Sequence, residues 1–130
     1  MVIDSSALIA LLLGEPETER FVAAIAAAPS RLMSAGSYLE TAIVITGRLG
    51  PGAKETLDRL MDELSIAIFP VLRDHADAAV AAYLRYGRGS GHLANLNFGD
   101  CFAYALAKSM AEPLLYKGND FVHTDIASAL

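Results

Sequence analysis

The chain opens on an apolar pair that runs straight into a charge. Val2 and Ile3 are β-branched, Asp4 follows, and Ser5-Ser6-Ala7 begins a helical pattern with no linker between. A buried strand that turns at once into a helix cannot close a tight hairpin, so the next strand must return by a crossover. The same alternation recurs along the chain. Short apolar segments at 31–34, 65–69 and 113–117 are each separated by stretches with helical periodicity. This predicts an α/β fold: one domain over residues 1–130, with a central, mostly parallel sheet of four to five short strands flanked by helices.

The helices read as follows. Ser5 or Ser6 caps a first helix over Ala7 to Leu13, stopped by Gly14. A second starts at Glu15-Pro16-Glu17 and ends at Pro29. Ser37 caps a third, from Tyr38 to about Leu49. A fourth spans Ala53 to Leu64. Arg73 to Tyr86 is amphipathic, with Ala76, Ala79, Val80 and Tyr83 on one side. A Gly-rich loop at 87–92, read as flexible, precedes an apolar helix from Phe98 to Met110. The tail, Ile126 to Leu130, offers little material for a full last edge strand.

Four acids sit where packing alone would not put them. Asp4 follows a buried strand, although it is also a good helix cap. Glu40 has Ile43 and Val44 as helical neighbours, and an unpaired carboxylate on an apolar flank is costly. The plainer reading is a half-exposed glutamate. Asp100 stands in the first turn of the apolar helix, where the dipole favours an anion, beside Ala103, Tyr104 and Ala107. Asp120 follows the last strand in what is equally an ordinary turn. In a parallel sheet, Asp4 and Asp120 then lie at the carboxyl ends of two strands, where such folds bind ligands. Converging carboxylates repel, and a hard divalent cation resolves that. Mg²⁺, or Mn²⁺, takes oxygen ligands, lowers the pKa of a bound water and neutralises a phosphodiester.

Charge and composition bear on this reading. The formal net charge is −5, from 15 acidic and 10 basic residues, which taken alone argues against nucleic-acid binding. With four acids committed to a cation, the remainder is 11 against 10 and the objection weakens. A hydrophobic fraction of 54% is high for a chain of 130 residues and predicts apolar surface covered by a partner or a second copy. Cys101 is the one cysteine, so there is no intrachain disulfide, which suits a reducing cytosol. The apolar run Ala7 to Leu13 is too short to span a bilayer, and Asp4 without a basic flank does not read as a secretory signal.

Four segments together resemble a known family: Val2 to Leu8, Ser37-Tyr38-Leu39-Glu40, Asn97-Phe98-Gly99-Asp100-Cys101, and Leu115 to Phe121. In that order and spacing they look like PIN-domain proteins, and more narrowly like VapC-type toxins of bacterial toxin–antitoxin pairs. The resemblance implies a Mg²⁺- or Mn²⁺-dependent endoribonuclease acting on structured RNA such as tRNA or rRNA in the bacterial cytoplasm. By motif match Asp4, Glu40, Asp100 and Asp120 form the acidic quartet, with Asp4, Asp100 and Glu40 holding the metal. Ser6 matches an orienting hydroxyl and Asn119 a support for Asp120. A homodimer and a cognate VapB-like antitoxin are implied as partners.

Substrate contacts are assigned to Arg85 and Arg88, with His92 beside them, flanking the Gly-rich loop. Tyr38, Tyr86 and Tyr104 are candidates for base stacking, with Tyr38 and Tyr104 better suited to packing. A thiol hydrolase built on Cys101 has no evident partner in His75, His92 or His123, and Lys117 and His123 carry no assigned role. A phosphoaspartate enzyme would want a second acid where Ser6 stands. A PIN-like interaction module without turnover is the non-enzymatic alternative.

Overall fold

The computed structural model describes residues 1–130. Its strands are β1 (Val2–Ile3), β2 (Leu32–Ser34), β3 (Ala67–Phe69) and β4 (Leu114–Leu115). Its helices are α1 (Ser5–Leu12), α2 (Thr18–Ala27), α3 (Ala35–Leu49), α4 (Ala53–Glu63), α5 (Arg73–Tyr86) and α6 (Asp100–Met110). The sheet is wholly parallel, in the order β3-β2-β1-β4, with Val2 opposite both Leu32 and Leu114 and Ile3 opposite Leu115. This is the α/β architecture expected.

The pleat divides the core in two. Ile3, Met33 and Leu115 point into one cluster with Leu8, Phe21, Ile25 and Leu57 from α1, α2 and α4. Their neighbours Val2 and Leu114 point the other way, toward Tyr86, Leu96, Leu106 and Phe121. Burial on both faces explains why β1 and β4 read as apolar runs rather than alternating ones, whereas the edge strand β3 leaves Ala67 and Ile68 exposed.

Strand order reverses at β1. The chain moves to β2 and β3 on one side and returns to β4 on the other. The crevice at the carboxyl ends of β1 and β4 is therefore the topological switch point, where doubly wound sheets take their ligands.

Several element ends differ from the sequence reading, and each difference has a local cause. Asp4, not a serine, caps α1: its Oδ2 accepts from Ser6 N at 2.9 Å. α2 begins at Thr18 because Glu15 and Glu17 are drawn to Lys117, at 2.6 and 3.1 Å. α3 starts a turn early, with Ser34 as its cap, which leaves Ser37 fully buried inside the helix. α6 starts at Asp100, two residues later than expected.

The stripe read along α5 is not the face that enters the core. His75, Ala82 and Tyr86 are buried, whereas Val80 and Tyr83 line an open groove against Phe98 and Phe102. Periodicity marks an apolar face without saying what covers it. The start of the Gly-rich loop is tied to the segment before α6: Arg88 N donates to Leu96 O at 2.9 Å and Leu96 N to Tyr86 O at 2.8 Å. The tail contributes a single parallel bridge, Ser128 with Leu114, and no full fifth strand.

Candidate active site at the switch point

Asp4 is almost completely buried at the end of β1. Its two oxygens have different fates. Oδ2 accepts from Ser6 N at 2.9 Å and from Ser6 Oγ at 2.6 Å. Oδ1 is buried and has no hydrogen-bond partner. A buried carboxylate oxygen without a partner is costly. Burial pushes the Asp4 carboxyl up to about 6 against the pull of the Ser6 hydrogen bonds, and the charge of Glu40 adds to the rise.

Ser6 also accepts from Lys117 N at 2.9 Å, just past β4. Its hydroxyl therefore spans the crevice between β1 and β4 and fixes Asp4 there. The Lys117 ammonium turns away to Glu15 and Glu17, which hold it above its ordinary range. That arrangement is not the aspartate–lysine pair of a phosphoaspartate site.

Glu40 lies in the second turn of α3. Of its helical neighbours Ile43 is 64% exposed and Val44 half-buried, and Glu40 itself is half-buried, which matches the plainer reading of a half-exposed glutamate. What holds Glu40 is more specific: Ser5 Oγ donates to its Oε2 at 2.9 Å. Its carboxylate lies against Gly99, where a Cβ would overlap both oxygens. α3 can approach α6 this closely because Gly36 gives the Phe102 ring room that a Cβ would take.

Asp100 is buried at the start of α6. Asp100 Oδ2 accepts from Asn97 N at 2.7 Å, and Asp100 N donates to Asn97 Oδ1 at 3.0 Å. This is a reciprocal capping box. Burial pushes the Asp100 carboxyl up to about 7, with further rises from the charges of Asp4, Asp120 and Glu40, against the Asn97 N–H that holds it down. Asp100 thus senses all three other acids. Asp120 is exposed beyond β4, as is Asn119. No three Asp, Glu, His or Cys side chains converge closely enough to enclose an ion by themselves. An ion here would keep part of its water shell, as Mg²⁺ commonly does.

The other residues singled out from sequence divide clearly. The Arg85 guanidinium sits 4.8 Å from the centre of the Tyr86 ring, and the His92 ring stacks edge-on against the same tyrosine at 4.8 Å. Arg88 is exposed. Tyr86 is buried, which removes it as a base platform. Tyr104 is buried and donates to Asp125 at 2.7 Å, and Tyr38 donates to Asp58 at 2.6 Å. Both are packing residues. Cys101 donates to Asn97 O, and burial beside Asp100 pushes its thiol up to about 11. His75 uses Nδ1 on Leu72 N at 3.4 Å and meets Ser109 Oγ at 3.1 Å through Nε2. A thiol with that proton affinity, hydrogen-bonded to Asn97 and with His75 engaged elsewhere, is no nucleophile at neutral pH.

From sequence, Ser5 is only a helix-cap candidate, and Asn97 and Gly99 are only part of a motif, with no role at the site. The Asn97–Asp100 spacing is that of a capping box and was legible. The other two depend on how α1, α3 and α6 meet.

Residues 1–127 match the PIN domain family. The chain belongs to that family. Its relatives place it in the VapC branch. It is 56% identical over 129 residues to Ribonuclease VapC30 of Mycobacterium tuberculosis, covering 98% of this chain and 97% of the relative. To Ribonuclease VapC of Mycolicibacterium smegmatis it is 54% identical, covering 98% of each. Among solved structures, Mycobacterium tuberculosis VapC20, described as a sarcin-ricin loop cleaving toxin, superposes with a TM-score of 0.77 at 17% identity, over 97% of this chain and 95% of that one. A toxin–antitoxin complex from Klebsiella pneumoniae gives 0.70 at 20% identity, over 99% and 97%. These two likenesses speak to the fold of this PIN-domain chain.

Proposed function

We propose that this protein is an endoribonuclease toxin of a toxin–antitoxin pair, hydrolysing phosphodiester bonds in structured RNA of the tRNA or rRNA class with Mg²⁺ or Mn²⁺. The observation that carries the reading is the buried, unpartnered Oδ1 of Asp4 at the switch point, within electrostatic reach of Glu40 and Asp100. An oxygen-only donor set of this kind fits a hard divalent cation. The near-complete identity span with proteins named ribonucleases supports the activity class.

Asp4, Asp100 and Glu40 are the residues that would hold the ion. When bound, it supplies charge neutralisation on the phosphodiester and a water of lowered pKa. The protein's own parts do the rest. Ser6 fixes the direction of Asp4. Asn97 fixes Asp100 at the start of α6 through the reciprocal pair of hydrogen bonds. Asp120, exposed beyond β4, completes the negative pocket and orients the attacking water, with the adjacent Asn119 supporting it. Water adds in line to phosphorus as the bond to the 3′-oxygen breaks, and that oxygen leaves as a hydroxyl. Arg85 and Arg88 would meet the RNA backbone beyond the site.

The same reading includes a VapB-like antitoxin and a homodimer. It is supported by exposed apolar side chains, Val80, Leu84 and Phe98 among them, and by a groove of about 500 Å³ between α5 and α6. No helix is long and apolar enough to cross a membrane. A single buried free cysteine fits action in the cytoplasm.

The test is cleavage of total bacterial RNA by the purified protein, with new ends mapped by sequencing. Discrete cuts within one structured RNA class are expected. RNA left intact, with no divalent ion bound, would instead favour the non-catalytic interaction module.

A further inference from the structure

The glycine at position 99 has no backbone reason to be one. Its φ of −63° and ψ of −42° are ordinary right-handed helical values, and it directly precedes α6. Alanine is the better residue in that conformation, because it restricts the unfolded chain and favours the helix. The reason lies across the crevice. A Cβ at Gly99 would overlap both carboxylate oxygens of Glu40. The buried Ser5 hydroxyl donates to the Oε2 of the same carboxylate at 2.9 Å.

Glu40 is otherwise poorly restrained. It is a long, half-buried side chain, and no cation is paired with it. Two contacts from two different elements therefore set where its charge sits: a hydroxyl from the first turn of α1 and a missing side chain at the start of α6. Ser5 is the immediate neighbour of both Asp4 and Ser6. Adjacent serines thus serve different acids, Ser6 holding Asp4 and Ser5 holding Glu40.

We infer that Ser5 and Gly99 are positioning residues for Glu40, and that together they set the spacing of the carboxylates that receive the divalent ion. The inference rests on the metal-dependent reading above. It makes Gly99 a site where helix stability gives way to function, a pattern expected where a locally favoured residue is refused.

The test uses the full chain and Mn²⁺ as the probe. Binding is measured by titration calorimetry and folding by thermal melting, for wild type, Ser5→Ala, Gly99→Ala and Glu40→Ala, and for each of the first two combined with Glu40→Ala. Ser5→Ala and Gly99→Ala are each expected to weaken Mn²⁺ binding by about 10- to 100-fold, the usual effect of removing a group that orients a ligand. Gly99→Ala should melt at the wild-type temperature or above. In the Glu40→Ala background neither substitution should weaken binding further, because the carboxylate through which they act is gone.

Unchanged Mn²⁺ affinity in both single variants overturns the inference. So does an equal further loss in the Glu40→Ala background, which would mark a merely structural role. These results leave the metal reading intact if wild type binds Mn²⁺ and cuts RNA. A wild-type protein that binds no Mn²⁺ overturns both.

Discussion

Ser6 donates its hydroxyl hydrogen to Oδ2 of Asp4 across 2.6 Å, and the Ser6 Oγ itself accepts the backbone N–H of Lys117 at 2.9 Å. One side chain thereby links the ends of β1 and β4 and aims the carboxylate between them. Ser6→Ala leaves the Lys117 N–H without its partner and removes one of the two hydrogen bonds that hold Asp4 Oδ2, keeping the one from the residue-6 backbone N–H. A stability loss of about 1–3 kcal/mol is expected, with cleavage reduced by about 10- to 100-fold. Urea unfolding and single-turnover cleavage measure the two effects. Wild-type activity in a destabilised Ser6→Ala protein would limit Ser6 to the fold.

Asp4 and Asp100 stand at the centre of the quartet's repulsion. Asp4→Asn or Asp100→Asn removes a buried charge and keeps the shape. Cleavage should fall by at least about 100-fold, the scale seen when a group acting on transition-state charge is lost. The melting temperature of the metal-free protein at pH 8 should rise, because an uncompensated buried charge has been removed. A variant that loses activity only by unfolding would contradict this.

The pH dependence of the metal-free protein follows from the same two groups. Asp4 is raised to about 6 and Asp100 to about 7, from an ordinary 3.8. The folded state therefore keeps these protons to higher pH than the unfolded chain does. Their stabilising contribution is complete below about pH 4 and is lost as pH rises through 6 and 7. Melting curves in EDTA should shift down between pH 5 and pH 8. Added Mg²⁺ should restore more at pH 8 than at pH 5, since the ion competes with protons for the same oxygens. The downward slope should be shallower in Asp100→Asn; an identical slope would assign it to other groups.

Much of this could be read from the chain because buried parallel strands leave short apolar runs that stand out between helical patterns. The order of elements and the aspartate at the end of β1 came through directly. The starts of α4 at Ala53 and α5 at Arg73 came through too, but those of α1 and α3 did not, since Asp4 and Ser34 compete with nearby serines for the same orphan N–H groups, and only packing decides. Glu40 drew notice for an apolar flank, and the fold leaves it half-buried. Gly99 gave no local signal, because its cause is a carboxylate brought from α3, far away in the chain.

Cys101 offers a control. Its thiol is buried and held up to about 11. Cys101→Ala should cleave RNA at close to the wild-type rate, with a stability change under about 1.5 kcal/mol for so small a volume change. Loss of activity in a folded Cys101→Ala protein would reopen thiol chemistry.

The central claim is that Asp4, Glu40, Asp100 and Asp120 act together through a divalent ion. The most direct measurement is RNA cleavage by the purified protein after exhaustive EDTA treatment, followed by titration with Mg²⁺ or Mn²⁺. The account predicts no cleavage in EDTA, full recovery on adding back the ion, and no recovery for Asp4→Asn at any metal concentration. Cleavage that persists at the wild-type rate with all metal removed would contradict it.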